Sequence, residues 1–331
     1  MSCETPIAFF IFRRPDLTTQ VFEAIRQAKP KKLLVVADGP RNESEAILCQ
    51  QARAVIETVD WDCEILRNYV DENLGCRKRV SSGLDWVFAQ VEEAIVLEDD
   101  CLPSPSFFHF CETLLERYRD DERIMHISGN NLQFGQHRTN YSYYFSKYNH
   151  IWGWASWKRA WKHYDLEMKT WEEFKISKIT NSIHSHSYEQ NYWLNIFETV
   201  HKGLIDTWDY QWTYACWSQG GLSILPNVNL VSNIGFRDDA THTKGESELA
   251  NLSTEDIYEI CHPSFLVRDY TADEYTFNHV FGGKAMREAN TFSGKLRSHL
   301  STTKQRIIRL FTDPVGLFSS FCHKIVKTHA N

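Results

Sequence analysis

Two hydrophobic patterns alternate over the first 130 residues. Short unbroken apolar runs, Ile7-Ala8-Phe9-Phe10-Ile11-Phe12, Leu33-Leu34-Val35-Val36-Ala37 and Ala94-Ile95-Val96-Leu97, predict strands buried on both faces. Between them, apolar residues recur at helical spacing. Asp16 is placed to cap a helix whose face carries Leu17, Val21, Ala24, Ile25 and Ala28. Asn42 or Ser44 opens a second helix running to about Val59, and Cys63 to Asn68 reads as a shorter strand. A helix from about Arg77 to Val91 leads into the Ala94 run. Ser104-Pro105 is a cap and first-turn pair for a helix bearing Phe107, Phe108, Cys111, Leu114, Leu115 and Tyr118. Ile124 to Ser128 is a further strand. This order predicts an α/β fold with a mostly parallel, doubly wound sheet and helices on both faces.

After residue 130 the pattern loosens and aromatic residues crowd in, many of them between Tyr141 and Trp217. Tyr188 to Lys202 predicts a helix closed by Gly203, and Ser223 to Val231 a strand. From Lys284 the chain is basic and amphipathic, with Pro314 and Gly316 interrupting it. The pattern divides the chain into 1–130, 131–265 (both halves of one domain) and a helical extension, 266–331.

Charge sharpens that division. The net charge is -7, yet residues 284–331 hold nine Lys/Arg against two acids, leaving -14 on the rest. The overall sign argues against general nucleic-acid binding. The tail is expected to pack on the body or another subunit, or to touch a membrane surface peripherally. Nine scattered cysteines with no C-x-x-C pair suggest neither a zinc site nor a disulfide framework, so a cytoplasmic setting is expected. The apolar start, Pro6 to Phe12, is only seven residues long and comes after Glu4, which is unlike a signal peptide.

The chemistry-bearing residues cluster where strands end. Glu98-Asp99-Asp100 lies just after a predicted central strand, at the edge where open α/β sheets bind ligands. Adjacent carboxylates repel unless something positive sits among them. A divalent cation bridging them to a polyphosphate is one account, and a solvated acidic turn is the other. Asp38 ends the second strand, placed either to accept from a nucleobase or ribose or to cap the turn Asp38-Gly39-Pro40. Arg13 and Arg14, after the first strand, are candidate phosphate contacts. Arg77-Lys78-Arg79 sets cations at a helix start, against the macrodipole. In Trp208-Asp209-Tyr210-Gln211-Trp212 one acid sits among rings, an environment that raises a carboxyl pKa toward that of a general base. Gly235-Phe236-Arg237-Asp238-Asp239-Ala240-Thr241-His242 forms a polar loop offering imidazole to a phosphate or metal. The chain contains no G-x-G-x-x-G, Walker, H-E-x-x-H or G-x-S-x-G motif.

In this order, the motifs resemble those of GT-A glycosyltransferases. Leu97-Glu98-Asp99-Asp100 with Pro103-Ser104-Pro105-Ser106-Phe107-Phe108 after it is similar to the acidic segment of N-acetylglucosaminyltransferase I, and Trp208-Asp209 resembles its Trp-Asp-Asp-Trp. The stretch from Leu225 to His242 resembles its closing loop and the ends of bacterial sugar transferases. The likeness spans roughly residues 5 to 265. It implies a nucleotide-sugar half (1–130) and an acceptor half (131–265). It further implies Mn²⁺ or Mg²⁺ on Asp100 and His242, and donor contacts from Phe12, Arg14, Asp38, Arg77, Glu98, Asp99 and His242. Asp209 would be the base. Arg77 stands where the resembled enzyme has His, and a single Asp209 replaces a pair. The expected reaction is inverting transfer from a nucleotide-diphosphate sugar, a UDP-sugar by preference, to a glycan or lipid-linked glycan. The alternatives are a sugar nucleotidyltransferase and a non-catalytic glycan-binding module.

Overall fold

The apolar runs form strands. The computed structural model describes residues 2–237 and 247–290. In chain order the elements begin β1 (Ile7–Ile11), α1 (Pro15–Ala28), β2 (Lys32–Ala37), α2 (Glu43–Ile56), β3 (Glu64–Tyr69), α3 (Gly75–Gln90) and β4 (Glu93–Glu98). Next come β5 (Cys101–Pro103), α4 (Pro105–Arg117), β6 (Ile124–Ser128), β7 (Tyr143–Ser146), β8 (Trp154–Trp157) and α5 (Lys158–Trp161). The remainder are α6 (Trp171–Ser177), α7 (Thr180–Ile183), α8 (Ser187–His201), α9 (Asp209–Ser218), β9 (Leu222–Pro226), β10 (Val231–Asn233), α10 (Tyr270–Val280) and α11 (Gly283–Asn290).

The main sheet has eight strands in the order β3-β2-β1-β4-β8-β6-β9-β7, and β10 pairs with β5 in a separate two-stranded ribbon. β3, β2, β1 and β4 are mutually parallel. Antiparallel β8 separates them from the parallel pair β6 and β9, and β7 closes the far edge antiparallel. β1 and β2 are buried along almost their whole length, which is why neither shows polar alternation. Leu17, Val21, Phe22 and Ile25 line the buried face of α1, near the predicted register.

Three boundaries differ from expectation. Asp16 is not the cap of α1: Arg14 occupies that position, Pro15 opens the helix and Asp16 lies in its first turn. Proline's fixed φ starts a helix well, so it sets the boundary two residues earlier. Asn42, rather than Ser44, caps α2 by accepting from Glu45 N at 3.0 Å. The strand expected over Ser223 to Val231 is broken into β9 and β10, which belong to different sheets.

The chain forms two compact units. One takes residues 2–166, 206–235 and 249–269 and holds both sheets. The other takes Glu167–Ile205 and residues 270–290, and is helical. In that helical unit Tyr192, Trp193, Phe277 and Phe281 pack ring against ring. His242 and the tail after residue 290 lie outside the described residues. No helix among the described residues is long and apolar enough to cross a membrane.

Candidate functional site

The carboxyl ends of β1, β2 and β4 lie side by side. β1 and β4 pair with Phe10 opposite Glu98, so the turn after β1 meets the acids after β4. The Phe12 N–H donates to Asp99 Oδ2 at 3.3 Å. Arg14 donates to Asp99, and from the same nitrogen to Asp100 Oδ2 at 2.8 Å. The positive charge that three adjacent acids require is therefore supplied by the chain itself. Burial opposes the charge on Arg14, but Asp99 and Asp100 more than restore it and raise its pKa. Burial, then Asp100 and Asp99, push the Glu98 carboxyl well above the carboxylate range, against the pull of Arg14. Asp99 is buried and engaged by Phe12 and Arg14, so it ties the turn after β1 to the end of β4.

Asp38 is held by donors of its own turn and of the start of α3. Its carboxylate accepts from Gly39 N and Leu74 N at 2.9 Å, Asn73 Nδ2 at 2.9 Å and Gly75 N at 3.2 Å. Four donors fill a carboxylate, so little acceptor capacity remains for a base. Burial raises its pKa against the pull of those backbone donors. Gly39 is required here: a Cβ would lie 2.5 Å from the backbone of Glu72, which crosses over it.

The start of α3 is held by acids from elsewhere. Leu74 provides no side-chain cap, and the first turn contains no acid. Asp38 serves Leu74 and Gly75, while Asp206 accepts from Arg77 N at 3.0 Å. These carboxylates oppose the misplaced cations noted in the sequence. The Arg77 guanidinium reaches the Leu166 carbonyl at 3.0 Å. Burial first, then the carboxylates of Glu98, Asp209, Asp206 and Asp38, push the Cys76 thiol well up.

Asp209 joins this group from about 110 residues downstream of Glu98. It is the first residue of α9, a helix that the hydrophobic pattern does not announce. The rings around it are largely core. Trp208 stacks on Trp154 at 5.7 Å, and Trp161 and Trp212 complete a buried nest. The Thr207 hydroxyl donates to the Asp209 carboxylate. Its setting is therefore a donor hydroxyl and a helix start, not rings alone. Its charge contributes to the raised pKa of Glu98, behind burial, Asp100 and Asp99. It also contributes to that of Tyr164, behind burial. Asp206 and Thr207 were not singled out from sequence. The signal was a polar Asp-Thr pair just ahead of a helix start.

Asp100 is enclosed from its other side by the β5–β10 ribbon. Ile234 N donates to the Asp100 carbonyl at 2.9 Å, and a Cβ on Gly235 would fall 2.2 Å from Asp100 Oδ2. Only glycine fits. The donor set fits a hard divalent cation that takes one or two carboxylates and completes its shell with substrate phosphates. Three acids against one arginine leave room for that added charge. No ready-made trio of metal ligands occurs among the described residues. Asp100 would hold the ion; His242, the other expected ligand, lies outside the described residues.

No family model and no curated protein matches the chain, so the likeness to N-acetylglucosaminyltransferase I rests on motif order alone. Solved structures do match. Apo UDP-glucose pyrophosphorylase aligns with TM-score 0.37 and 10% identity, over 69% of this chain and 93% of that one. UDP-glucose pyrophosphorylase complexed with UDP-glucose gives 0.30 and 10%, over 50% and 80%. The 4-diphosphocytidyl-2C-methyl-D-erythritol synthase of Anaerococcus prevotii DSM 20548 gives 0.30 and 10%, over 49% and 75%. Likenesses at this level decide nothing about the chemistry of this chain.

Proposed function

We propose that this protein is a glycosyltransferase that uses a nucleotide-diphosphate sugar, by preference a UDP-sugar, and transfers the sugar with inversion to a glycan or lipid-linked glycan. The observation that carries the reading is that the segment 206–209 is held at the start of α3, near enough for the Asp209 charge to act on Glu98, beside Arg14, Asp99 and Asp100. In the proposed reaction, Asp209 takes the proton of the acceptor hydroxyl as its oxygen bonds to the anomeric carbon. The bond from that carbon to the diphosphate oxygen breaks, and the electron pair leaves with the nucleoside diphosphate. General-base help of this kind is worth about 10²- to 10⁴-fold. Mg²⁺ or Mn²⁺ held by Asp100 would supply charge to the leaving diphosphate. A cytoplasmic setting, with the basic tail near an anionic membrane surface, suits a lipid-linked acceptor.

The second reading is nucleotidyl transfer to a sugar 1-phosphate, and the names of the similar structures stand nearer to it. The first turn of this chain, Phe12-Arg13-Arg14-Pro15, lacks the glycines and lysine that cradle a triphosphate. A two-armed assay separates them. Nucleotide sugars with Mn²⁺ are expected to release nucleoside diphosphate, and Asp100→Ala to abolish that release. Pyrophosphate release confined to nucleoside triphosphate plus sugar 1-phosphate would establish the second reading instead.

A further inference from the structure

The start of α3 has no cap of its own and carries Arg77, Lys78 and Arg79 where a helix favours acids. Two carboxylates distant in sequence meet it from separate elements. Asp38 comes from the end of β2, and Asp206 from the segment that leads into α9. One Asp206 oxygen accepts from Arg77 N at 3.0 Å. The other would lie 3.0 Å from a Cβ on residue 75, so Gly75, at φ +76, allows the approach as well as the turn. Asp206 stands three residues before Asp209, and between them Thr207 donates its hydroxyl to the Asp209 carboxylate. The segment 206–209 is thus gripped at both ends, one on α3 and one on the carboxylate.

We propose that Asp206 is a positioning residue, which ties the start of α9 to the start of α3 and so fixes where the Asp209 carboxylate stands. This rests on the reading of Asp209 as the base. Because Asp206 is exposed, replacing it leaves no cavity. A misplacement of about 1 Å at a reacting group can cost on the order of 10²-fold in rate.

Backbone hydrogen exchange on the full chain tests the tie without any ligand. In Asp206→Ala, protection is expected to fall at the Arg77 amide and also at the Trp212 amide, which closes the first turn of α9 on the Trp208 carbonyl at 3.3 Å. Asp206→Asn keeps an acceptor oxygen and is expected to restore both. A loss confined to Arg77, or an Asn variant that behaves like Ala, overturns the proposal. Kinetics then test the consequence, with a nucleotide sugar that the wild-type protein turns over. Asp206→Ala should lower kcat about 10- to 100-fold while donor KM stays nearly constant. In an Asp209→Asn background it should cost nothing further. An equal loss in that background, or wild-type kcat in Asp206→Ala, also overturns it. Should no nucleotide sugar be turned over by the wild type, the functional reading fails, and the exchange result still decides the tie.

Discussion

On one side of the main sheet, β3, β2, β1 and β4 run parallel, and β1, β2 and β4 are filled by Ile, Leu, Val and Phe. On the other, β8, β6, β9 and β7 run in mixed directions among Trp, Tyr and His. The two sides satisfy their polar groups differently. The aliphatic side keeps its acids at the strand ends, where Arg14 and backbone N–H groups meet them. The aromatic side buries a polar group outright. His126 Nε2 donates to the His150 carbonyl at 2.9 Å, and its Nδ1 accepts from Trp212 Nε1 at 3.2 Å. Aliphatic packing therefore leaves the chemistry to the sheet edge, whereas the aromatic nest itself builds the platform from which α9 presents Asp209.

The comparison can be broken most directly at its two anchors. Arg14→Ala leaves Asp99 and Asp100 without their cation, and should cost about 3–5 kcal/mol of stability, read by denaturant unfolding. Trp212→Ala opens the nest and should also cost about 3–5 kcal/mol. Equal losses with turnover altered by both would show that the halves are not separable. The expected split is a divalent-ion response shifted to lower ion concentration in Arg14→Ala, where the competing guanidinium is gone, and lowered kcat with donor binding kept in Trp212→Ala.

Gly235→Ala is a finer probe of the acidic edge. Its Cβ must displace the Asp100 carboxylate, so activity should fall on the order of 10²-fold, and the melting temperature should fall with it. Unaltered activity would show that the position of Asp100 is not critical.

The smallest expected effect is a pH dependence from the aromatic side. Burial lowers the His126 pKa from 6.5 to about 3 and that of His150 to about 4. Because both His126 ring nitrogens are engaged, a second proton would turn Nδ1 into a donor facing Trp212. The unfolded chain binds the proton more readily, so this stability is complete above pH 6.5 and is lost as the pH falls toward 3. Between pH 6.5 and 5 each histidine should cost about 2 kcal/mol. His126→Gln should flatten that slope in urea titrations, and an unchanged slope would assign the loss to other groups.

Much of the aliphatic side was legible beforehand, because a strand buried on both faces must be apolar throughout. β1, β2 and β4 were readable for that reason, as was the placing of Glu98 to Asp100 at a strand end. The aromatic side was less legible. Apolar and polar residues in Tyr210-Gln211-Trp212-Thr213 fit no single-faced helix, since α9 is buried nearly all round. The ribbon of β5 and β10 was missed for a related reason: each strand has only three residues, and their pairing spans more than a hundred.

The sequence by itself determined the alternation of strands and helices and which acids end which strands. These depend on local periodicity and on neighbouring residues. Only the tertiary structure decided what those acids do to one another. It put Arg14 on Asp99 and Asp100, filled Asp38 with three backbone N–H donors and the Asn73 amide, and brought Asp206 and Asp209 to the start of α3. Hydrogen bonds and charge interactions act over a few ångströms in space, whatever the separation along the chain, so their partners emerge only once the chain has closed.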